Sequence, residues 1–342
     1  MKKHILVIRL SAMGDVAMTI PVIDSFARNN PDVEITMLSS PKFAPLFEQI
    51  PHLTFFPVDT KKEYKDVGGI WRLFQKLKRE KQYDCVIDLH DVLRSKLLRT
   101  LFKLSGVPIF KIDKGREEKK ALTREERKEL RPLKSTIQRY EETFIRAGYP
   151  IKTSFEGLYK ETISLSPTIK NVLGEKREKW LAIAPFAQHQ GKIFPLNKME
   201  ELIQHYTRNT STKIILFGGG KNEQQKLEEW AKNYPNTISI AGKFDIQEEL
   251  QILQQCDALL SMDSSNMHFA SLVKTPAVSI WGATHPFAGF YGYQQDPEDA
   301  VQLDLACRPC SIYGNKPCLK GNYPCLNNID NKVIISKLNK YI

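Results

Sequence analysis

Short apolar runs alternate with amphipathic stretches along most of this chain, and this alternation restricts its fold more than any other feature. Stretches with helical periodicity, such as Lys198–Thr207 and Asn222–Asn233, lie between the runs. Apolar runs of this length predict buried strands, and buried strands that alternate with helices are typical of parallel sheets covered on both faces. The predicted strands are His4–Ile8, Glu34–Leu38, Cys85–Asp88, Trp180–Ala184, Lys213–Phe217, Thr237–Ile240, Ala258–Met262 and Ala277–Trp281. The predicted fold class is therefore α/β, with ligand sites outside the carboxyl ends of the strands.

The chain is long enough for two such domains. It has 342 residues, of which 42% are hydrophobic, and this supports two cores. The polar, turn-rich stretch Gly157–Gly174 predicts a boundary between a first domain of residues 1–165 and a second of residues 166–330. The last residues, Asn331–Ile342, have the apolar spacing of an amphipathic helix.

The charge of the chain favours anionic partners. Fifty Lys and Arg residues against 39 Asp and Glu give a formal net charge of +11, which suits nucleotides, acidic glycolipids or a membrane surface. Much of the excess lies in Lys111–Lys134, which is either a solvated helical loop or a docking surface for an acidic lipid head group. We expect no nucleic-acid partner, because zinc-finger, RNP and helix-turn-helix signatures are all missing. No apolar run approaches the length of a membrane span, and we expect a cytoplasmic protein.

Two strand ends carry the residues of a phosphate site. After the predicted strand that ends at Met262, Asp263 and Ser264 can each cap a helix whose free N–H groups and dipole favour an anion. His268 follows four residues after Ser264 and returns to the same side of that helix. An ordinary strand-to-helix junction with a core histidine is the competing interpretation.

The second of these strand ends is that of the predicted strand His4–Ile8, and the loop after it contains Gly14 and Asp15. A carboxylate on a glycine-bearing loop at a strand end is well placed to act as a general base. The competing interpretation of Asp15 is a helix N-cap before Val16. For Gly14 the choice is between close approach of the backbone to a ligand and a plain turn.

Four segments in order resemble glycosyltransferase family 9, the ADP-heptose:lipopolysaccharide heptosyltransferases. RLSAMGDVAMTIP (Arg9–Pro21) resembles the N-terminal signature of that family, and SMDSSNMHFASLVKTPAVSIWGATHP (Ser261–Pro286) resembles its donor signature. DLHDVLRSKLL (Asp88–Leu98) and GKIFPLNKMEELI (Gly191–Ile203) are similar to its intermediate blocks. The resemblance extends over nearly the whole chain.

The resemblance implies a GT-B architecture, in which two Rossmann-like domains with parallel sheets face each other across a cleft. It assigns the acceptor to the first domain, the nucleotide sugar to the second, and the C-terminal helix to a position packed back on the first domain. It also implies inverting, metal-independent transfer of a heptose or related sugar from an ADP-sugar to a lipopolysaccharide inner-core acceptor. Such an enzyme requires no cofactor and makes peripheral contact with the inner face of the cytoplasmic membrane.

The resemblance also assigns roles to individual residues. Asp15 matches the catalytic base, Lys192 the lysine that binds the donor phosphates, and Glu223 and Phe244 the positions beside the ribose and the adenine. Ser265 stands where many relatives carry glycine, while Gln188 and His189 replace small hydroxyl residues of some relatives. The complete set of donor-binding residues implied by the resemblance is Gly14, Lys192, Glu223, Phe244, Asp263, Ser264, Ser265 and His268.

Other functions remain open at this point. A GT-B glycosyltransferase or epimerase that uses a UDP- or GDP-sugar would share these motifs, and so would a nucleotide- or lipid-binding module without catalysis. The glycine-rich turn Phe217–Glu223 follows neither G-x-G-x-x-G nor the P-loop pattern, which disfavours a nicotinamide enzyme or an ATPase.

Four of the six cysteines lie close together near the C-terminus, in the pattern C-x2-C-x7-C-x6-C. They are Cys307, Cys310, Cys318 and Cys325. Four thiolates suit a structural Zn²⁺, and reduced thiols are the alternative. We interpret the remaining two, Cys85 and Cys256, as small core residues.

Overall fold

The computed structural model describes residues 2–342, which divide into two compact units. The first unit comprises residues 2–114 and 135–156, and the second comprises residues 115–134 and 157–342. Each unit contains one parallel sheet, so the predicted α/β class is confirmed.

The first unit is built on a five-stranded sheet in the order β3-β2-β1-β4-β5. Its strands are β1 (Lys3–Ile8), β2 (Val33–Ser39), β3 (Leu53–Pro57), β4 (Cys85–Asp88) and β5 (Ile109–Lys111). The central strand β1 pairs in parallel with β4, with Ile8 opposite Asp88 at the last paired position. The loops that follow these two strands therefore emerge side by side at the carboxyl edge of the sheet.

Helices cover both faces of this sheet. The helices of the first 156 residues are α1 (Met13–Ala17), α2 (Thr19–Asn29), α3 (Val67–Glu80), α4 (Leu93–Leu104), α5 (Arg116–Leu122) and α6 (Thr136–Arg146), of which α5 belongs to the second unit. On one face α3 and α4 pack through Phe74 and Phe102, whose rings are 5.0 Å apart. Elsewhere α2 meets α6 through Phe26 and Phe144 at 4.8 Å. Burial of these rings contributes to the stability of the unit.

The second unit is built on a six-stranded sheet in the order β11-β10-β9-β6-β7-β8. Its strands are β6 (Trp180–Ala184), β7 (Lys213–Leu216), β8 (Thr237–Ser239), β9 (Ala258–Met262), β10 (Ala277–Ile280) and β11 (Ala300–Val301). Its further helices are α7 (Pro167–Leu173), α8 (Leu196–Asn209), α9 (Lys221–Asn233), α10 (Ile246–Gln255), α11 (Ser265–Leu272), α12 (Pro324–Asn327) and α13 (Asn331–Leu338). Short 3₁₀ turns occupy Pro41–Phe47, Gln190–Lys192, Pro286–Ala288 and Pro297–Asp299.

The division between the units differs from the predicted boundary at residue 165. The chain passes into the second unit at Gly157, whose neighbour Leu158 donates its backbone N–H to the carbonyl of Leu272 (2.8 Å). The turn-rich composition of this stretch identified the region but not the residue, because the stretch itself packs on the second unit.

The basic stretch Lys111–Lys134 is not simply a solvated helical loop. Its only helix among the described residues is α5, and residues 115–134 belong to the second unit. Leu122 and Leu133 are buried beside Ala288, and the ammonium of Lys119 lies 4.3 Å from the ring centre of Phe290. These few apolar side chains attach a mostly charged segment to the second unit, which charge counting alone did not reveal.

The C-terminal helix α13 also differs from prediction, because its buried side chains belong to the core of the second unit. Ile334 and Leu338 are fully buried there, and Asn331 donates its side-chain amide to the carbonyl of Lys198 (3.0 Å). The chain end is held as well, since the hydroxyl of Tyr341 lies 2.5 Å from Asp299. The resemblance implies a position on the first domain instead.

None of the helices in residues 2–342 is both long and apolar enough to cross a bilayer.

Candidate functional site

Asp15 lies at the carboxyl edge of the first sheet, in the short helix α1 that follows β1. Its side chain is 28% exposed, so it is held by the protein and still open to solvent. The helix begins at Met13, which makes Asp15 its third residue rather than its N-cap. The carboxylate accepts the backbone N–H of Ala12 (3.4 Å), a weak capping contact that leaves most of its hydrogen-bonding capacity for other partners. Gly14 is the second residue of the same helix, and its carbonyl accepts the N–H of Met18 (2.9 Å).

A buried arginine, which the sequence analysis did not single out, holds this carboxylate. Nη2 of Arg9 lies 2.5 Å from Oδ2 of Asp15. Its Nη1 donates to the carbonyl of Leu89 (2.7 Å), and its side chain is only 7% exposed. Because the guanidinium is planar and fixed at a second point, the ion pair holds the carboxylate in one orientation.

His90 lies beside this pair, in the loop after β4. Its backbone N–H donates to Oδ1 of the fully buried Asp88 (2.9 Å), and its Nδ1 accepts the N–H of Leu10 (3.4 Å). Burial, reinforced by the nearby Arg9, lowers the pKa of His90 to about 3. The imidazole is therefore neutral near pH 7 and carries its proton on Nε2.

Acid should destabilise the protein through His90. Its pKa in the folded state lies well below the ordinary value of 6.5, so the stabilisation is complete above pH 6.5 and is lost as the pH falls toward 3. Between pH 7 and pH 5 we expect His90 to account for a loss of roughly 2 kcal/mol in the free energy of unfolding, which urea titration measures. His90→Gln should reduce this loss, whereas the exposed His52→Asn should not; equal slopes for both variants would contradict the assignment.

In the second unit, Lys192 and Asp263 form a partly buried ion pair. Nζ of Lys192 lies 2.9 Å from Oδ2 of Asp263, and the two side chains are 16% and 5% exposed. Lys192 ends the 3₁₀ turn in the loop after β6, whereas Asp263 follows β9. Since β6 and β9 are neighbours in the sheet, their carboxyl ends bring the two residues together from positions 71 apart in the sequence.

The first turn of α11 lies next to this pair. Ser264 is the N-cap, its Oγ lies 3.2 Å from Oγ of Ser261, and Ser265 is the first helical residue. His268, the fourth residue of the helix, is 6% exposed. The first backbone N–H groups of a helix have no partner within it, so this corner presents donors and a positive dipole end beside the Lys192 ammonium.

Glu223 and Phe244 follow the next two strands along the same edge. Glu223 lies in the first turn of α9, after β7, and its Oε2 accepts the N–H of Gly219 (2.8 Å). Phe244 is half-buried in the loop between β8 and α10. The order β9-β6-β7-β8 thus places the predicted phosphate, ribose and adenine positions in sequence along about 14 Å of sheet edge.

The segment that contains the four clustered cysteines supports the Lys192 loop. A Cβ on Gly314, which has φ +74°, would lie 2.6 Å from Cγ of Lys192, and one on Gly191 would lie 2.8 Å from the carbonyl of Gly314. The buried guanidinium of Arg308 donates to the backbone carbonyls of Trp281 (3.1 Å) and Thr284 (2.9 Å), in the loop after β10. Sequence reasoning missed Arg308, because carbonyl partners leave no pattern in a sequence.

The four cysteines lie near one another in the structure. Cys325 is buried, which raises the pKa of its thiol to about 11, while Cys307, Cys310 and Cys318 are half-buried and near enough to influence it. Across residues 2–342, no group of three or more His, Cys, Asp or Glu side chains is arranged to hold a metal ion. Cys85 and Cys256 are buried core residues, 4% and 5% exposed.

Comparison with known proteins identifies the family. The model of glycosyltransferase family 9 (heptosyltransferase) matches residues 70–317. The chain belongs to glycosyltransferase family 9. This family 9 enzyme is 24% identical, over 297 residues, to the lipopolysaccharide heptosyltransferase 1 of Campylobacter coli, a match that covers 82% of this chain and 84% of that protein. The chain is therefore a glycosyltransferase.

Solved structures of the family share its fold. The family 9 glycosyltransferase of Veillonella parvula matches with a TM-score of 0.77 and 19% identity, covering 99% of this chain and 97% of that one. The E. coli heptosyltransferase WaaC, solved with ADP, matches with a TM-score of 0.63 and 18% identity, covering 87% of this chain and 92% of that one. These matches confirm the predicted GT-B class of the family 9 enzyme.

Proposed function

We propose that this chain transfers a heptose or related sugar, with inversion, from an ADP-sugar to a lipopolysaccharide inner-core acceptor. The observation that carries the proposal is the row of donor-type residues along four adjacent strand ends of the second unit. That row begins with Lys192, Asp263 and the first turn of α11, and it ends at Phe244. The lipopolysaccharide heptosyltransferases related to this chain support the choice of donor and acceptor.

In the proposed reaction, Asp15 takes the proton of the acceptor hydroxyl while the oxygen of that hydroxyl attacks the anomeric carbon of the sugar. The bond between that carbon and the diphosphate oxygen breaks, and the nucleoside diphosphate leaves with the electron pair. Arg9 holds the base carboxylate in a fixed orientation through their ion pair. A positioned base of this kind contributes about 10²- to 10⁴-fold in rate.

The departing diphosphate gains negative charge, which the second unit is built to offset. Lys192 supplies an ammonium, and Ser264, Ser265 and His268 supply donors at the positive end of α11. Fixed charges and dipoles of this kind stabilise the transition state without having to reorganise. With this charge in place, the proposed mechanism requires no cofactor. Glu223 and Phe244 complete the donor site at the ribose and the adenine.

The acceptor is an acidic glycolipid in this proposal, and the enzyme works in the cytoplasm at the inner face of the membrane. The net charge of +11 favours both.

Nucleotide preference gives a direct test of the donor. We expect ADP to raise the melting temperature of the chain more than GDP or UDP at equal concentration, because only the preferred nucleotide binds the native state tightly. Phe244→Ser should reduce the shift caused by ADP. Tyr234→Ser, at the end of α9 and outside the proposed site, should not. A larger shift by UDP or GDP would overturn the ADP assignment in favour of another GT-B glycosyltransferase or an epimerase.

The zinc prediction for Cys307, Cys310, Cys318 and Cys325 is tested by metal content. Four thiolates suit a structural zinc ion, and no proposed step uses a metal. If the prediction holds, the purified chain contains about one zinc atom per molecule, and chemical modification of the thiols releases it. A metal-free chain with freely titrating thiols would instead leave these cysteines as packing for the Lys192 loop.

A further inference from the structure

Three large apolar side chains are exposed in the first turns of two neighbouring helices. Val67 and Trp71 of α3 are 70% and 49% exposed, and Leu93, the first residue of α4, is 84% exposed. Scattered apolar residues are ordinary on a protein surface, whereas a group rimmed by polar residues marks an interaction site. We call Val67, Trp71 and Leu93, with the basic residues Arg72, Arg94 and Lys96 beside them in sequence, the α3–α4 leading edge.

The fold brings these residues to one edge of the first unit. Helices α3 and α4 pack side by side through Phe74 and Phe102. Each follows a strand of the same parallel sheet, so both helices begin at its carboxyl edge. Asp15 follows β1 at that same edge. The exposed apolar side chains therefore lie on the side of the unit that carries the proposed base.

Basic side chains outnumber acidic ones around this edge. Residues 61–72 contain four Lys and Arg side chains against two acidic ones, and Arg94 and Lys96 of α4 are exposed. Tryptophan combined with basic side chains favours the boundary between lipid head groups and acyl chains, since its ring is apolar and its N–H is polar. Anionic head groups complement the basic residues.

We propose that the α3–α4 leading edge docks onto the anionic surface of a lipid bilayer. Trp71, Val67 and Leu93 enter the head-group region while the surrounding cations face the lipid phosphates. Docking in this way turns the edge that carries Asp15 toward a membrane-embedded acceptor. The inference rests on the proposed function, because only a lipid-linked acceptor makes such an orientation useful.

The chain contains its own probe for the test. Of its four tryptophans, Trp180, Trp230 and Trp281 are fully buried in the second unit, and only Trp71 is exposed. With vesicles that contain phosphatidylglycerol, we expect the emission of Trp71 to shift to shorter wavelength, to resist iodide quenching and to be quenched by brominated acyl chains. Vesicles of pure phosphatidylcholine should give a smaller change, and salt should weaken binding to the anionic vesicles.

Variants at the two ends of the same helices provide matched controls. Val67→Ser with Leu93→Ser, or Arg94→Glu with Lys96→Glu, should reduce vesicle binding at least about tenfold, with the probe intact. Leu104→Ser and Lys103→Glu alter equally exposed residues of α4 about 15 Å away, at its other end, and should leave binding within about twofold.

Three results would overturn the proposal. The first is equal loss of binding in both sets of variants, and the second is no binding by the unaltered chain. The third is a blue shift that grows with protein concentration without vesicles, which would make the edge an interface between copies of the chain. Vesicle binding is measured without nucleotide, so its failure leaves the ADP ranking and the proposed reaction standing, and failure of those leaves the vesicle result standing.

Discussion

Asp15→Asn should fold normally, bind ADP with unchanged affinity and transfer sugar at least about 10²-fold more slowly than the unaltered enzyme. The amide keeps the size of the side chain and loses the basic oxygen, so the acceptor hydroxyl keeps its proton as it attacks. ADP affinity should persist because the proposed donor residues other than Gly14 belong to the second unit, and the substitution leaves Gly14 in place. Steady-state turnover, together with a thermal shift with ADP, measures both parts of the expectation.

Asp32→Asn is the matched control. Asp32 is an exposed carboxylate of the same unit that precedes β2, at the opposite edge of the sheet. Its loss should leave turnover within about twofold, as for most surface substitutions. Turnover by Asp15→Asn as fast as that of Asp32→Asn would refute the role of Asp15 as base.

Lys192→Met should lower turnover by about 10²- to 10³-fold, because the charge that grows on the leaving diphosphate loses its ammonium partner. ADP should also bind more weakly, since the same ammonium meets the phosphates of the product. The variant leaves Asp263 buried without its partner, which costs roughly 3–5 kcal/mol of stability. Turnover must therefore be measured at a temperature where urea titration shows the variant to be folded.

The stability loss and the loss of activity can be separated. Lys192→Met combined with Asp263→Asn removes the unpaired charge and should recover most of the stability without recovering transfer. Lys232→Met, which removes an exposed lysine near the end of α9, should change neither. If the double variant transferred sugar at the normal rate, the proposed role of Lys192 would be wrong.

The sequence predicted the central strands of both sheets well, and it missed three of the four edge strands, β3, β5 and β11. Strands such as β6 and β9 are buried at every position, and the bounds predicted for them match the structure. By contrast β3 alternates exposed and buried residues and ends in Pro57, and β11 has two residues. Edge strands bury fewer of their side chains than central strands do, so they contain fewer apolar residues and are harder to detect from the sequence pattern.

The candidate site was predictable only where its residues lie in recognisable corners. Asp15 and His268 lie in the segments that follow two strand ends, and the sequence pattern of those segments predicted both residues. Arg9 and His90 stand next to strand ends too, but their importance comes from contacts between the loops after β1 and β4 that the sequence does not display. The pairing of these two strands has to be known before Arg9 can be seen to rest on the carbonyl of Leu89 while it holds the carboxylate of Asp15.

Turnover of ADP-heptose tests the central claim most directly. The purified chain, given ADP-heptose and a lipopolysaccharide inner-core acceptor, should release ADP and form heptosylated acceptor in equal amounts, as followed by mass spectrometry. Asp15→Asn should form neither at a comparable rate. Release of nucleotide without glycosylated acceptor, or transfer only from a UDP- or GDP-sugar, would contradict the account.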